Sequence, residues 1–119
     1  MKQIKKHYCE ILQIELADLK EDLDCMIQHA EQHFQSGKIT ERVYKENSTL
    51  FKNEKLGVDE FAAILKRQNL DAFADLSALI DSLKIAFRET AGRLALANAV
   101  VICVERKLEK VQRYVMQTR

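Results

Sequence analysis

The chain contains no proline and no tryptophan, and only three of its 119 residues are glycine. Few positions therefore stop a helix, because proline and glycine are the residues that interrupt helices most strongly. Aromatic residues make up only 7% of the chain, and β-branched residues do not alternate with polar ones, so no sheet is expected. Hydrophobic residues at 47% suffice for a buried core. The sequence predicts a single all-α domain over residues 1–119.

Cysteine is also scarce, and its spacing is informative. Cys9, Cys25 and Cys103 form no CxxC pair, which predicts a reduced, cytoplasmic protein. No secretory signal is expected, because acidic residues interrupt the region that follows the basic start. The longest apolar stretch, residues 94–104, is too short to cross a bilayer. The formal net charge of +1 gives no bulk attraction to nucleic acid.

The most regular pattern lies in the C-terminal part of the chain. Thirteen positions follow one another at alternating steps of three and four, and all but one are apolar: Phe73, Leu76, Ile80, Leu83, Phe87, Thr90, Leu94, Ala97, Val101, Val104, Leu108, Val111 and Val115. This seam is typical of a helix that lies lengthwise against other helices. A helix of roughly 48 residues would span ~70 Å, against ~50 Å for the first helix. Either a bend near Gly92 or a second copy of the chain must account for the excess. Because nearly every residue from 94 to 104 is apolar, this segment needs cover on all sides, and we expect a homodimer or the convergence of several helices there.

The predicted architecture is an elongated antiparallel helical bundle, or coiled-coil hairpin. A long N-terminal helix runs from about Gln3 to Phe34 and is stopped by Gly37. Two short helices follow, one that Thr40 caps and that ends before Gly57, and one that begins near residue 59. A break near residue 69 then leads into a very long C-terminal helix.

Charge is distributed unevenly along the chain. Residues 10–31 carry seven acidic side chains and one basic one, whereas the tail is basic: Arg106, Lys107, Lys110, Arg113 and Arg119. We interpret these segments as complementary faces of packed helices. The alternative is a nucleic-acid-associated subunit, in which the tail and Lys2, Lys5 and Lys6 form one positive end.

One set of side chains has the spacing of metal ligands. Cys25, His29 and His33 follow at steps of four on the first helix, with Asp22 one turn earlier. Thiolate and imidazole are good zinc ligands, but a closed site needs four ligands and no second cluster exists. We therefore predict no metal and no cofactor, and keep a metal- or small-ligand-binding bundle as an alternative.

Nothing in the sequence indicates catalysis. Cys9 and Cys103 fall at or near core positions, where a thiol is protonated and inert. The chain has neither a Gly-rich phosphate loop nor a Gly-x-Ser-x-Gly motif. We predict that the protein is not an enzyme.

Protein–protein interaction is the function that a long packing helix favours. A partner helix would lie against the apolar strip of the last helix: Leu94, Val101, Val104, Leu108 and Val111. The same residues are also expected in a core or in a dimer interface, and the spacing does not separate these three roles.

Three segments carry a resemblance to a known family. They are Ser36-Gly37-Lys38 after a long amphipathic helix, Glu46-Asn47-x-x-Leu50-Phe51 in the next helix, and residues 88–94 in the last. In this pattern the chain resembles the flagellar export chaperones of the FlgN type, although Glu89-Thr90-Ala91 stands where that family has an Asn-rich stretch. The resemblance implies a small cytoplasmic helical chaperone whose last helix helps to bind an amphipathic segment of a secreted client.

Overall fold

The computed structural model describes residues 2–117, without the side chain of Lys2. Four α-helices and one short 3-10 helix follow in chain order: α1 (Lys2–Gln35), α2 (Glu41–Lys66), the 3-10 helix (Leu70–Ala72), α3 (Leu76–Arg93) and α4 (Asn98–Gln117). No strand occurs among the described residues. The predicted all-α bundle, with a long helix at each end of the chain, is confirmed.

The helices form two antiparallel hairpins of unequal length. In the long hairpin α1 packs along α2, and in the short one α3 packs along α4. The short hairpin lies against one half of the long one, where α4 contacts both α1 and α2 and α3 contacts mainly α2. The molecule measures 54 × 31 × 18 Å, so the bundle is elongated as predicted.

The core lies where all four helices meet. Its largest fully buried side chains come from every helix: Tyr8, Leu12, Leu23, Phe61, Leu79, Leu83, Phe87, Val100, Val104, Leu108, Val111 and Val115. Phe61 of α2 and Phe87 of α3 pack edge to face, with ring centroids 5.4 Å apart.

The turn between α1 and α2 forms as the sequence predicts. Gly37 adopts a left-handed backbone with φ of 76°, and the Lys38 N–H donates to the His33 carbonyl at 2.8 Å. Thr40 then caps α2, because its hydroxyl accepts from the Val43 N–H at 3.2 Å. The cap of α3 was not predicted. It is Asp75, whose carboxylate accepts from the Ala78 N–H at 2.9 Å.

The predicted boundary at Gly57 is wrong, because α2 continues through it as one helix to Lys66. The two expected short helices are therefore a single helix of 26 residues. Gly57 is buried against α4, and a Cβ atom added there would overlap Cγ1 of Val100. The glycine thus permits a close helix–helix approach, and it does not end the helix.

The predicted C-terminal helix is too long. It is interrupted at residues 94–97, where Ala95 adopts a left-handed φ of 54° and the Leu96 N–H donates to the Ala91 carbonyl at 2.9 Å. The chain therefore reverses close to Gly92 and forms a hairpin. Of the two explanations for the excess length, the change of direction near Gly92 is the one that the structure has, and no overlong helix remains for a second copy to cover. The reversal also changes the register of the seam, which leaves Val100 buried in α4 and Val101 only partly buried.

Two polar contacts hold the base of the bundle, where α1 begins. The buried Tyr8 hydroxyl donates to the Leu108 carbonyl of α4 at 3.0 Å. The buried Lys5 ammonium donates to the carbonyls of Leu70 and Phe73, at 2.6 and 2.5 Å, in the connection before α3. Buried carbonyls are costly without a partner, so these contacts fix the connection onto α1.

Candidate helix-binding groove

The long hairpin extends beyond the short one. The Ala97 N–H donates to the Asn53 side chain at 3.2 Å, which places the α3–α4 turn halfway along α2. Residues 24–35 of α1 and 41–53 of α2, with the turn between them, project past this level; we call this part the overhang. Its only buried residues are Ala30 and Ser48. The overhang is therefore a two-helix structure with little core of its own.

A groove runs between α1 and α2 in the overhang. The side chains that line it from α1 are Asp22, Cys25, Met26, His29, Ala30 and His33, and those from the turn and α2 are Ile39, Asn47 and Phe51. Its volume is about 450 Å³, and apolar surface predominates over polar surface. We call it the tip groove.

The tip groove lies in line with α4. On α1, Glu15 contacts α4, and Asp22 and His29 follow it at steps of seven residues, hence on the same flank of the helix. On α2, Phe51 lines the groove and lies seven residues before Val58, which is buried in the core. From this alignment we infer that the groove continues the channel that α4 fills in the lower half of the bundle.

The exposed apolar side chains mark the same opening. Met26 belongs to the α1 seam whose earlier members Leu12, Leu16 and Leu23 are buried, yet 48% of its surface is exposed. Leu50 of α2 is 41% exposed and lines a separate depression beside the α3–α4 turn. The apolar seam of α1 thus continues past the level at which α4 begins.

The predicted interface residues of the last helix do not form a free surface. Val104, Leu108 and Val111 are at most 1% exposed and belong to the core of a single chain, which leaves no client groove across them. Val101 is partly buried, and Leu94 lies in the α3–α4 turn with 39% of its surface exposed. Core, dimer interface and partner-binding surface were the three roles that the spacing left open, and Val104, Leu108 and Val111 have the core role.

Cys25, His29 and His33 are brought together along one wall of the tip groove. The two imidazole rings lie 6.0 Å apart and are tilted by 44°. Among residues 2–117, however, no group of three His, Cys, Asp or Glu side chains is placed to hold a metal ion. The three side chains line a groove but do not converge as ligands, so the geometry does not favour the metal-binding alternative.

The acidic and basic segments meet as predicted at one point. The Lys110 ammonium lies 2.5 Å from the Glu15 carboxylate, and the Lys107 ammonium lies 4.0 Å from it. The hydrogen bond from Lys110 lowers the pKa of Glu15, with a further contribution from the charges of Lys107 and Lys110, and partial burial opposes the shift. These contacts join α1 to α4.

Part of the basic surface that nucleic-acid binding would need is occupied by contacts within the chain. Lys107 and Lys110 face Glu15, and Lys5 is buried against backbone carbonyls. Arg106 and Arg113 are exposed. Arg119 and the side chain of Lys2 lie outside the described part of the chain.

The half-buried cysteines have the properties that the sequence suggested. Burial raises the pKa of Cys9, and the charge of Glu10 raises it further. Burial, followed by the charge of Glu54, also raises the pKa of Cys103. A raised pKa keeps a thiol protonated and weakens it as a nucleophile. Cys25 is the exposed cysteine and lies in the tip groove.

No family model matches this chain, and no characterised protein or solved structure matches it either. The resemblance to export chaperones therefore stays a prediction from the sequence. Across the described residues, no helix has the length and the apolar character needed to cross a membrane.

Proposed function

We propose that this protein is a non-enzymatic protein–protein interaction module, a small cytoplasmic adaptor or export-type chaperone that holds an amphipathic helix of a partner. The observation that carries the proposal is the tip groove, an open continuation of the channel that α4 fills. A helix bound there would extend the bundle in the same way as α4 does, because the apolar seam of α1 continues past the level at which α4 begins.

The chaperone version of the proposal rests on the resemblance described above. Two of its three segments, Ser36-Gly37-Lys38 and residues 46–51, lie in the overhang. The client site proposed here is the overhang. It differs from the last-helix site that the resemblance implies, because the apolar strip of α4 is buried.

The test removes apolar contact surface from the groove without touching the core. Met26→Asp and Ile39→Asp place charge where a partner helix would bury apolar area, and both side chains line the groove without belonging to the core. The tagged full chain and each variant are used to capture partners from the native cell lysate, and the captured proteins are identified by mass spectrometry. We expect the proteins held by the natural chain to be lost from both variants.

The matched control is Ile85→Asp. Ile85 of α3 is 61% exposed and does not line the groove, so this variant should retain the partners. Thermal unfolding of all three variants checks that the fold is kept. Capture of the same proteins by all variants would contradict the proposal.

A second copy of the chain is the competing occupant of the groove. The molar mass of the purified natural chain, measured by light scattering over a range of concentrations, tests the expected homodimer. A dimer that Met26→Asp dissociates would assign the groove to self-association instead of a partner.

A further inference from the structure

Resting on the proposed function, we propose that the tip groove selects a basic amphipathic helix of a partner protein. This helix would lie end to end with α4 and place a cationic side chain against Asp22 on the α1 wall. The reasons are the way in which α4 itself is held and the charge of Asp22 beyond the level at which α4 begins.

α4 shows what kind of helix the channel takes. It buries small β-branched side chains, such as Val100 and Val104, and it directs the cations Lys107 and Lys110 at Glu15 on the flanking wall. Asp22 stands seven residues after Glu15, so it occupies the equivalent place one heptad further along that wall.

The Asp22 carboxylate in the groove wall has no cationic partner among the described residues. It lines the groove and forms no ion pair there, whereas the neighbouring Asp24 is paired with Lys55 at 2.6 Å. An approaching helix therefore meets uncompensated negative charge on the α1 wall.

The side chains that α4 buries add a second criterion. Val100, Val104 and Val111 are β-branched and at most 1% exposed, so we expect a partner helix to present small or β-branched apolar side chains. The expected ligand carries such residues at steps of three and four, with lysine or arginine on the flanks.

The probe for the test is a peptide with the sequence of residues 98–117 and Cys103→Ser, which has both the apolar strip and the basic flanks. A second peptide carries Glu at positions 106, 107, 110 and 113. Each is added to the full chain, and the rate at which iodoacetamide alkylates each cysteine is followed by mass spectrometry. Cys25 reports on the groove, and Cys9 and Cys103 report on the core.

We expect the basic peptide to slow alkylation of Cys25, with roughly threefold tighter apparent binding than the acidic peptide, because an attraction to the exposed Asp22 becomes a repulsion. Asp22→Asn should abolish this preference, whereas Glu21→Gln, at an exposed acidic residue that does not line the groove, should keep it.

Equal protection by both peptides would overturn the charge inference and leave the proposed function standing. Protection by neither peptide would overturn both. Faster alkylation of Cys103 would show that the peptide displaces α4, and protection of Cys25 without any peptide would show that a second copy fills the groove. Each of these two results would also overturn the inference.

Discussion

Gly57→Ala tests the packing on which the whole arrangement of hairpins rests. In an exposed helix an alanine would stabilise by roughly 1 kcal/mol relative to glycine. At this position the new methyl group would overlap Cγ1 of Val100, and valine has few alternative rotamers in a helix. Overpacking of this kind costs about 1–3 kcal/mol. We therefore expect a net loss of about 0–2 kcal/mol in the free energy of unfolding.

Gly92→Ala is the matched control, because a Cβ atom added at Gly92 meets nothing within 4 Å. It should stabilise the protein by roughly 0.5–1 kcal/mol. Urea unfolding followed by circular dichroism measures both variants. The double variant Gly57→Ala with Val100→Ala should be more stable than the sum of its single effects, because the two changes exchange volume at one contact. If Gly57→Ala stabilises as much as Gly92→Ala does, the close approach of α2 and α4 is refuted.

Two further predictions concern single contacts. Glu15 has a pKa below its ordinary value, so its contact with Lys110 stabilises the fold above about pH 4.3, and this contribution is lost as the pH falls through the lowered pKa. Glu15→Gln should therefore flatten the pH dependence of stability in that acidic range, measured by thermal unfolding. An unchanged profile would contradict the assignment. Ala95→Gly should raise the free energy of unfolding by about 0.5–1 kcal/mol, since only glycine adopts a left-handed backbone without steric cost; destabilisation in urea unfolding would argue against the turn.

Local signals in the sequence were sufficient for the helix class and for the first turn. Gly37 and Thr40 act within a few residues of one another, so their roles follow from spacing alone. Gly57 could not be interpreted in that way, because its role depends on Val100, which lies far away in the sequence. The sequence allowed a bend near Gly92 but did not predict a full reversal, since the left-handed residue of the turn is an alanine and the nearby glycine remains helical.

The site was predictable only in part. The three-four spacing that puts Met26 and His33 on one face of α1 can be read from the sequence alone, as can the same spacing of Val43, Asn47 and Leu50 on α2. Whether these faces are covered depends on where the other hairpin stops. No local pattern encodes that level, which is set by the turn at residues 94–97.

The aromatic pair at the far end of the overhang bears on how a ligand would bind. Phe34 of α1 and Tyr44 of α2 stack nearly parallel, with centroids 4.7 Å apart, and join the two helices beyond the groove. The two helices are thus held together on both sides of the groove, by this stack and by the four-helix core. Walls that are held in place before binding leave most of the entropy cost of ordering to the incoming segment.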